Sequence, residues 1–289
     1  MRTLEEIIYN RLITSSELAE KLTTYRDKPA VFYQTSPDDT QRNWSKNREY
    51  PRVNFVIDYQ ANDDRRTSGV LTVDIWCSGN GAQPEDIEPI IRSLLQDVFM
   101  TPEGGYPYAF LWSKSEPFQS SLQPEKNASG IVVGATVTFE IFEFSKQETT
   151  DPDPIQAVNR YIKGFVNGCV VIGDKNLPEI IEPSGDNPVF YFRLERLRRN
   201  RETNTVVWLD ANLACHIFAA GEEIRWLRAL TDDLLLHGEV TMLDTSPMFI
   251  TNLSADSSQN ALTKGQLNIS TQFGLLRLSQ RANPIRIIY

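Results

Sequence analysis

The sequence is poor in the residues that most often carry chemistry. It has 2 histidines and 3 cysteines in 289 residues, and the cysteines, Cys77, Cys169 and Cys215, are far apart with no CxxC pair. That spacing suits neither a zinc knuckle nor a thioredoxin-like site, so we expect buried, reduced thiols. The histidines, His216 and His237, show neither HExxH nor HxxxH spacing. The sequence therefore predicts no metal site.

Long apolar runs and an excess of basic residues are also missing. No apolar stretch is long enough to cross a bilayer, and the segment MRTLEEIIYNRL carries acidic residues where a signal peptide would be apolar. We therefore expect a protein that is made and kept in the cytoplasm and binds no membrane. Acidic residues outnumber basic ones by 38 to 29, for a formal net charge of -9, which disfavours binding to nucleic acid phosphates.

Motifs for phosphate, dinucleotide or acyl-enzyme chemistry are missing as well. No GxxxxGK[ST], GxGxxG or GxSxG sequence occurs. Adjacent aspartates at Asp38-Asp39, Asp63-Asp64 and Asp232-Asp233 are interpreted as solvated charges on two loops and a helix exterior. A metal-dependent hydrolase built on these carboxylates stays open as an alternative. The expectation is a non-enzymatic protein with no catalytic residues, no metal and no cofactor.

What the sequence does contain is enough apolar residue for well-packed cores. Its hydrophobic fraction is 40% and its charged fraction 23%, as in globular proteins, and its length suits two domains. The segment Gln147 to Pro154, QETTDPDP, disfavours both helix and central strand, so it is predicted to be an exposed connector. We therefore predict one domain over residues 1–150 and a second, divergent copy over 151–289.

Each half runs through a similar series of elements. After an N-terminal helix, the first half has alternating strands over 53–59 and 71–77 joined by a polar loop over 60–68. An amphipathic helix follows, with Pro89 in its first turn and a long strand over 131–144 behind it. The second half has strands over 190–194 and 209–215, joined by the charged loop Arg198 to Asn204, and a last strand from Leu267. The late helix of the second half is predicted to bury Ile224, Leu227, Leu230 and Leu234.

The two segments LTVDIWC and LDANLAC suggest a duplication. They begin at Leu71 and Leu209 and end at Cys77 and Cys215. The number of residues from Leu71 to Leu209 therefore equals the number from Cys77 to Cys215. We predict an α+β protein with two tandem similar domains, each an antiparallel or mixed β-sheet with helices packed on one face. The alternative is that two unrelated α+β domains share an order of elements.

Charged clusters of mixed sign are the candidate subunit contacts. Neighbouring identical subunits in a ring can be oriented by such clusters, although solvated loop charges are the ordinary explanation. A large aromatic on the polar face of a strand is a further candidate. The residues selected are Asp63, Asp64, Arg65 and Arg66 in the first polar loop, Trp76 on the following strand, and Arg198, Arg199 and Arg201 in the second polar loop.

The stretch from Ala30 to Cys77 carries a family resemblance. It contains AVFYQTSPDD, then YPRVNFVIDY, then DDRRTSGVLTVDIWC. This order resembles the tail terminator (tail completion or neck) proteins of long-tailed bacteriophages, in particular those of phages of Gram-positive bacteria. The resemblance covers most of the first half. The second half resembles the family only in its order of elements and lacks the FYQ and YPR segments.

The resemblance implies a small α/β fold that assembles into a ring, commonly six-membered, on the finished tail tube. Such a ring ends tail polymerisation and forms the tail side of the head-tail interface. The implied partners are further copies of the chain, the tail tube protein, a head-completion or connector protein and, for a contractile tail, the sheath protein. Genomic DNA would pass through without specific binding, and the protein would be assembled in the host cytoplasm and reside in the virion neck.

The length of the chain departs from the single-domain size usual in that family. Three chains could supply six similar units, or six chains a wider ring. Another neck, adaptor or baseplate component of a phage or phage-like injection machine is the alternative within the same structural class. A monomeric binding module is a further alternative.

Overall fold

The computed structural model describes residues 2–37, 43–44, 49–60, 67–78, 81–121, 131–147 and 149–277. The chain forms two compact units. The first unit comprises Met1–Phe144 with Pro178–Glu182, and the second comprises Ser145–Leu177 with Pro183–Tyr289. Both combine α-helices with a large β-sheet, which confirms the predicted α+β class. None of the helices in these ranges combines the length and apolar character needed to cross a bilayer.

The first unit contains helices α1 (Leu4–Thr14), α2 (Ser16–Lys21) and α3 (Pro84–Leu95). Its strands are β1 (Thr24–Tyr25), β2 (Lys28–Pro29), β3 (Val31–Tyr33), β4 (Arg52–Tyr59), β5 (Gly69–Ser78), β6 (Phe99–Met100), β7 (Tyr108–Ser121), β8 (Ile131–Glu143) and β10 (Ile180–Ile181). Strands β1 and β2 pair with each other. The large sheet has the order β10-β6-β7-β8-β5-β4-β3, in which β3 is parallel to β4 and the remaining pairs are antiparallel.

Local signals set the helix ends in the first unit. Helix α1 begins after Thr3, whose side chain accepts the Glu6 backbone N–H while the Glu6 carboxylate accepts that of Thr3. Helix α3 begins at Pro84, where a proline replaces an amide that would have no helical partner. Pro89 consequently lies in the second turn of α3, so the prediction that it lies in the first turn is wrong.

The core of the first unit lies between its helices and one face of the sheet. Alternate residues of β5, namely Leu71, Val73, Ile75 and Cys77, are fully buried in the same cluster as the apolar faces of α1 and α3. The intervening residues of β5 point to the opposite side, which we call the outer face, and are half-buried. The helices therefore pack on one face of the sheet, as predicted.

The second unit contains helices α4 (Pro154–Phe165) and α5 (Glu223–His237). Its strands are β9 (Val170–Ile172), β11 (Val189–Glu202), β12 (Val206–Phe218), β13 (Glu239–Thr241), β14 (Pro247–Ala255) and β15 (Leu267–Leu276), in the sheet order β13-β14-β15-β12-β11-β9. Leu209, Ala211, Leu213 and Cys215 of β12 are buried together with residues of α4 and α5. Ile224 is 50% exposed, so the prediction that it belongs to the buried face of the late helix is wrong.

The two large sheets have the same order of pairing. From one edge the first unit reads β3-β4-β5-β8-β7-β6 and the second reads β9-β11-β12-β15-β14-β13. In both, the first pair is parallel and the following pairs are antiparallel. In both, a helix follows the third strand that the chain contributes to the large sheet, α3 after β5 and α5 after β12. Strand β10 is an addition to the first sheet.

The connector predicted over Gln147 to Pro154 is wrong at its C-terminal end. Pro152, Asp153 and Pro154 are buried. Asp153 caps α4, because its Oδ1 accepts the backbone N–H of Ile155 at 2.8 Å and that of Gln156 at 3.3 Å. Residues chosen as signals of an exposed linker thus form the start of a packed helix. Residue 148 lies outside the described part of the chain.

Candidate interaction surface

The charged loop predicted over Arg198 to Asn204 is a strand for most of its length. Strand β11 continues to Glu202, and the turn is short, with the Thr203 N–H donating to the Val206 carbonyl at 2.8 Å. Arg198, Arg199 and Arg201 therefore lie on β11, and the loop prediction is wrong. Two register shifts, after Leu194 and after Arg199, break the alternation by which a strand is recognised.

The arginine-rich half of β11 is an edge of its sheet. Strand β9 pairs only with Val189–Tyr191, and in the described part of the chain no strand pairs with the rest of that side. Arg198, Arg199 and Arg201 are all exposed along this stretch. Exposed charge on an edge strand discourages pairing with a like strand but accepts a partner of opposite charge.

Arg198 is held by a polar network around Asp210 on the face of the second sheet that is turned away from its core, which we also call the outer face. The Asp210 carboxylate accepts hydrogen bonds from Asn200 at 2.8 Å, Gln272 at 3.0 Å and Arg198 at 3.1 Å. The bonds from Asn200 and Gln272, followed by the Arg198 guanidinium, lower the pKa of Asp210 below its usual range. A polar groove of about 460 Å³ lies over this network, and it is also lined by Arg196, Asn212, Asn252 and Ser270.

Arg199 and Arg201 lie near the end of the two-stranded ribbon that β11 forms with β12. Arg199 pairs with the Glu202 carboxylate, which also receives the guanidinium of Arg277. The Arg201 guanidinium lies 5.1 Å from the centroid of the Trp208 ring. Because two arginines share one carboxylate and the third lies on an indole, this end of β11 carries an excess of positive charge.

The corresponding ribbon of the first unit is formed by β4 and β5. The predicted contact residues Asp63, Asp64, Arg65 and Arg66 come between these strands in the sequence and lie outside the described residues. With Leu71 aligned on Leu209, the strand pairings match Ile57 to Arg199, because Ile57 faces Leu71 and Arg199 faces Leu209. In this register the arginines of β11 correspond to β4 itself. These arginines therefore do not align with the Asp63–Arg66 cluster.

The outer half of β4 is also a sheet edge. Strand β3 pairs with Val53–Phe55, and within the described ranges nothing pairs with the far side of Val56–Tyr59. Val56 is 39% and Tyr59 49% exposed, and Asp58 between them is exposed as well. The Tyr59 hydroxyl donates to a Glu5 carboxylate oxygen at 3.1 Å. This edge is apolar and acidic where the edge of β11 is basic.

Trp76, the aromatic contact candidate, is engaged within its own unit. Its ring packs edge-on against Phe118 at 4.7 Å between centroids, across Gly134 on the intervening strand. The Arg52 guanidinium lies 5.8 Å from the same ring. Among the described residues, the indole N–H has no hydrogen-bond partner. Trp76 is half-buried, so only part of its surface is open to another molecule.

Arg193 and His216 form a buried polar pair that sequence reasoning did not identify. Arg193 also bonds to Glu195 at 2.9 Å and to the Lys264 carbonyl at 3.2 Å, while His216 bonds to the Ala261 carbonyl. Together they attach the β14–β15 loop to the outer face. Strand alternation places His216 on that face, but it gives no sign that the loop covers it.

The alternative of a metal-dependent hydrolase requires side chains that are arranged to hold a metal ion. The described residues contain no group of three or more His, Cys, Asp and Glu side chains arranged in this way. Asp38-Asp39 and Asp63-Asp64 lie outside them. Asp233 instead accepts the Tyr161 hydroxyl, and burial followed by the bond to this carboxylate raises the pKa of Tyr161. His237 Nδ1 lies 3.3 Å from the same hydroxyl.

A cavity of about 700 Å³ lies beside β3 in the first unit. Its lining includes the aromatic side chains of Tyr25 and Phe32, whose rings contact Trp44 at 4.9 and 5.6 Å between ring centroids. Acidic side chains line another part, Glu5 and Glu6 of α1. Phe32 belongs to the FYQ segment of the family resemblance.

No protein-family model, curated protein or solved structure matches this chain.

Proposed function

We propose that this protein is a structural, non-enzymatic phage component that assembles with copies of itself and acts as a tail terminator. As a ring in the virion neck it caps the tail tube, ends tail polymerisation and forms the tail side of the head-tail interface. Its partners are the tail tube protein and a head-completion or connector protein, with the sheath protein in addition if the tail contracts. DNA passes through the ring without specific binding.

One observation carries the proposal: the segments that resemble the family form three neighbouring strands of one sheet. AVFYQ contains β3, YPR leads into β4 through Arg52, and TSG leads into β5 through Gly69. The segment ends at Trp76 and Cys77, on the outer face and in the core respectively. A resemblance of scattered segments is more specific when the segments are adjacent in the fold, and here they share one sheet.

We further propose that the two units are copies of one domain. The shared pairing order, the shared parallel first pair and the equivalent helices α3 and α5 support this inference. The burial of Leu71 and Cys77 in one core and of Leu209 and Cys215 in the other supports the alignment of the two segments. Three chains would then present six similar units, the number that the family commonly uses.

The first experiment measures the native mass of the purified full-length protein, with negative-stain images of the same sample. A closed trimer or hexamer with a central hole is the expected result. Incubation with purified tail tubes should then place the protein at one end of each tube. Binding along the tube or to a baseplate would favour the alternative neck, adaptor or baseplate component. A monomer that leaves tube ends bare would contradict the proposal.

A further inference from the structure

We infer that copies of this chain associate through unlike sheet edges, the basic edge of β11 in one copy pairing with the acidic edge of β4 in another. The inference rests on the proposed function in that it requires a second copy. It goes beyond that function because it names the two surfaces that meet and the charge pattern that favours their pairing. In such strand addition, main-chain hydrogen bonds give affinity and side chains give specificity.

Main-chain groups are available on the β4 edge. The Val53 N–H donates to the Ala30 carbonyl, and the Phe55 carbonyl accepts the Gln34 N–H, so these two residues direct their backbone groups to β3. Strand alternation without a register shift puts Ile57 and Tyr59 in the same orientation. Their N–H and C=O groups therefore point to the side where β3 has ended at Tyr33 and where no other described strand pairs.

Charge distinguishes the two edges. The β11 edge carries Arg198, Arg199 and Arg201, whereas the described part of the β4 edge carries Asp58 with Glu5 nearby. The same contrast holds for the units as a whole. Acidic and basic residues are equal in number in the second unit, so the first unit carries the entire net charge of -9.

This contrast favours unlike pairing over like pairing. Two β11 edges would bring arginines together, which is the usual protection of an edge against self-association. Two β4 edges would bring the exposed Asp58 side chains together, while Val56 and Tyr59 expose apolar surface there. A basic edge next to Asp58 gains opposite-charge contacts and covers that apolar surface.

The test is a charge exchange in the full-length chain. One variant carries Arg199→Glu and Arg201→Glu, and the other carries Asp58→Arg. Alone, each variant brings like charges together and should raise the dissociation constant for self-association at least about tenfold in sedimentation at low salt. Mixed together, the two variants should associate again, because the reversed β11 edge of one now faces the reversed β4 edge of the other.

A control for the first variant carries Arg228→Glu and Lys175→Glu, two exposed basic residues of the second unit that lie on α5 and after β9 rather than on β11. It changes the net charge by the same amount as the variant with Arg199→Glu and Arg201→Glu, and it should associate like the natural protein. Far-UV circular dichroism and thermal unfolding establish that each variant is folded. Variants that assemble as tightly as the natural chain, or a mixture that does not recover association, would overturn the inference and leave the proposed ring standing.

A second measurement uses crosslinking between tagged copies. Tyr59→Cys in one copy and Arg199→Cys in the other, both with Cys169→Ser, should give a mixed dimer with a short thiol crosslinker. Pairs with Arg228→Cys in place of Arg199→Cys should not. Failure to capture the mixed dimer from an assembled sample counts against this pairing. A natural chain that never assembles would overturn both this inference and the proposed function.

Discussion

The Nε of Arg193 donates a hydrogen bond to Nε2 of His216 at 2.7 Å, and both side chains are buried. Because Nε2 accepts this bond, the hydrogen-bond pattern assigns the ring proton to Nδ1, where it is donated to the Ala261 carbonyl. A permanently charged guanidinium is thus satisfied partly by a neutral imidazole from the neighbouring strand.

Removal of the imidazole should destabilise the protein. His216→Leu leaves the buried Nε–H of Arg193 without its acceptor, so we expect the free energy of unfolding to fall by about 1–3 kcal/mol. Urea unfolding followed by intrinsic fluorescence measures it. Adding Arg193→Met should recover part of the loss, because both polar partners are then gone. Equal stability of His216→Leu and the natural protein would show that the bond contributes little.

The Asp210 network should give a pH-dependent contribution to stability. Hydrogen bonds from Asn200 and Gln272, and the Arg198 guanidinium, lower the folded-state pKa of Asp210 below the ordinary value of about 3.9. The stabilisation is therefore present above that value and is lost as pH falls through the folded-state pKa. We expect Asp210→Asn to cost about 1 kcal/mol at pH 7 and progressively less below pH 4. A deficit that stays constant with pH would contradict this.

Two glycines should respond in opposite directions to replacement by alanine. A Cβ at Gly134 would overlap the Phe118 ring and the Ile75 carbonyl oxygen, so Gly134→Ala should destabilise by about 1–3 kcal/mol, as overpacking does. Gly164 lies in α4 with open space around its Cα. Gly164→Ala should stabilise by up to about 1 kcal/mol through helix propensity. Thermal unfolding of the two variants side by side measures both effects.

Thiol labelling should separate the cysteines. Burial, followed by the nearby Glu85 and Asp86 carboxylates, raises the pKa of Cys77 to about 12, and burial raises that of Cys215 well above its usual range. Since the thiolate is the reactive form, both should resist alkylation at pH 8, while the half-buried Cys169 reacts slowly. Mass spectrometry before and after denaturation counts the labels. Rapid labelling of Cys77 in the folded protein would show that its core opens.

The best predicted elements are those whose pattern reports burial directly. Strand β5 buries every second residue and helix α3 has a single apolar face. The spacing of apolar residues in the sequence therefore matches the positions that are buried in the structure. Strands β7 and β14 were not predicted, and both contain a register shift, after Trp112 and after Ile250. A bulge reverses the faces along a strand, which cancels the alternation that a sequence pattern can show.

The candidate surface was predictable only in part. The arginines of β11 were selected for their charge, but their position on an edge strand depends on which strands pair elsewhere in the sheet. Residues 198–202 of β11 are all exposed, so they show no apolar period and resemble a loop. The acidic edge of β4 followed from no local signal, because nothing in the sequence around Val56 and Tyr59 shows that the neighbouring strand β3 stops at Tyr33.

Because two compact units are joined in one polypeptide, the number of units in any assembly of this chain is constrained. However many chains take part, whole chains contribute the two units in equal number, so the total is always even. An acidic unit and an electrically balanced one are therefore always present at a ratio of one to one, without any control over the amounts of two separate gene products. Stoichiometry that other assemblies achieve by regulated expression is here enforced by the peptide bond.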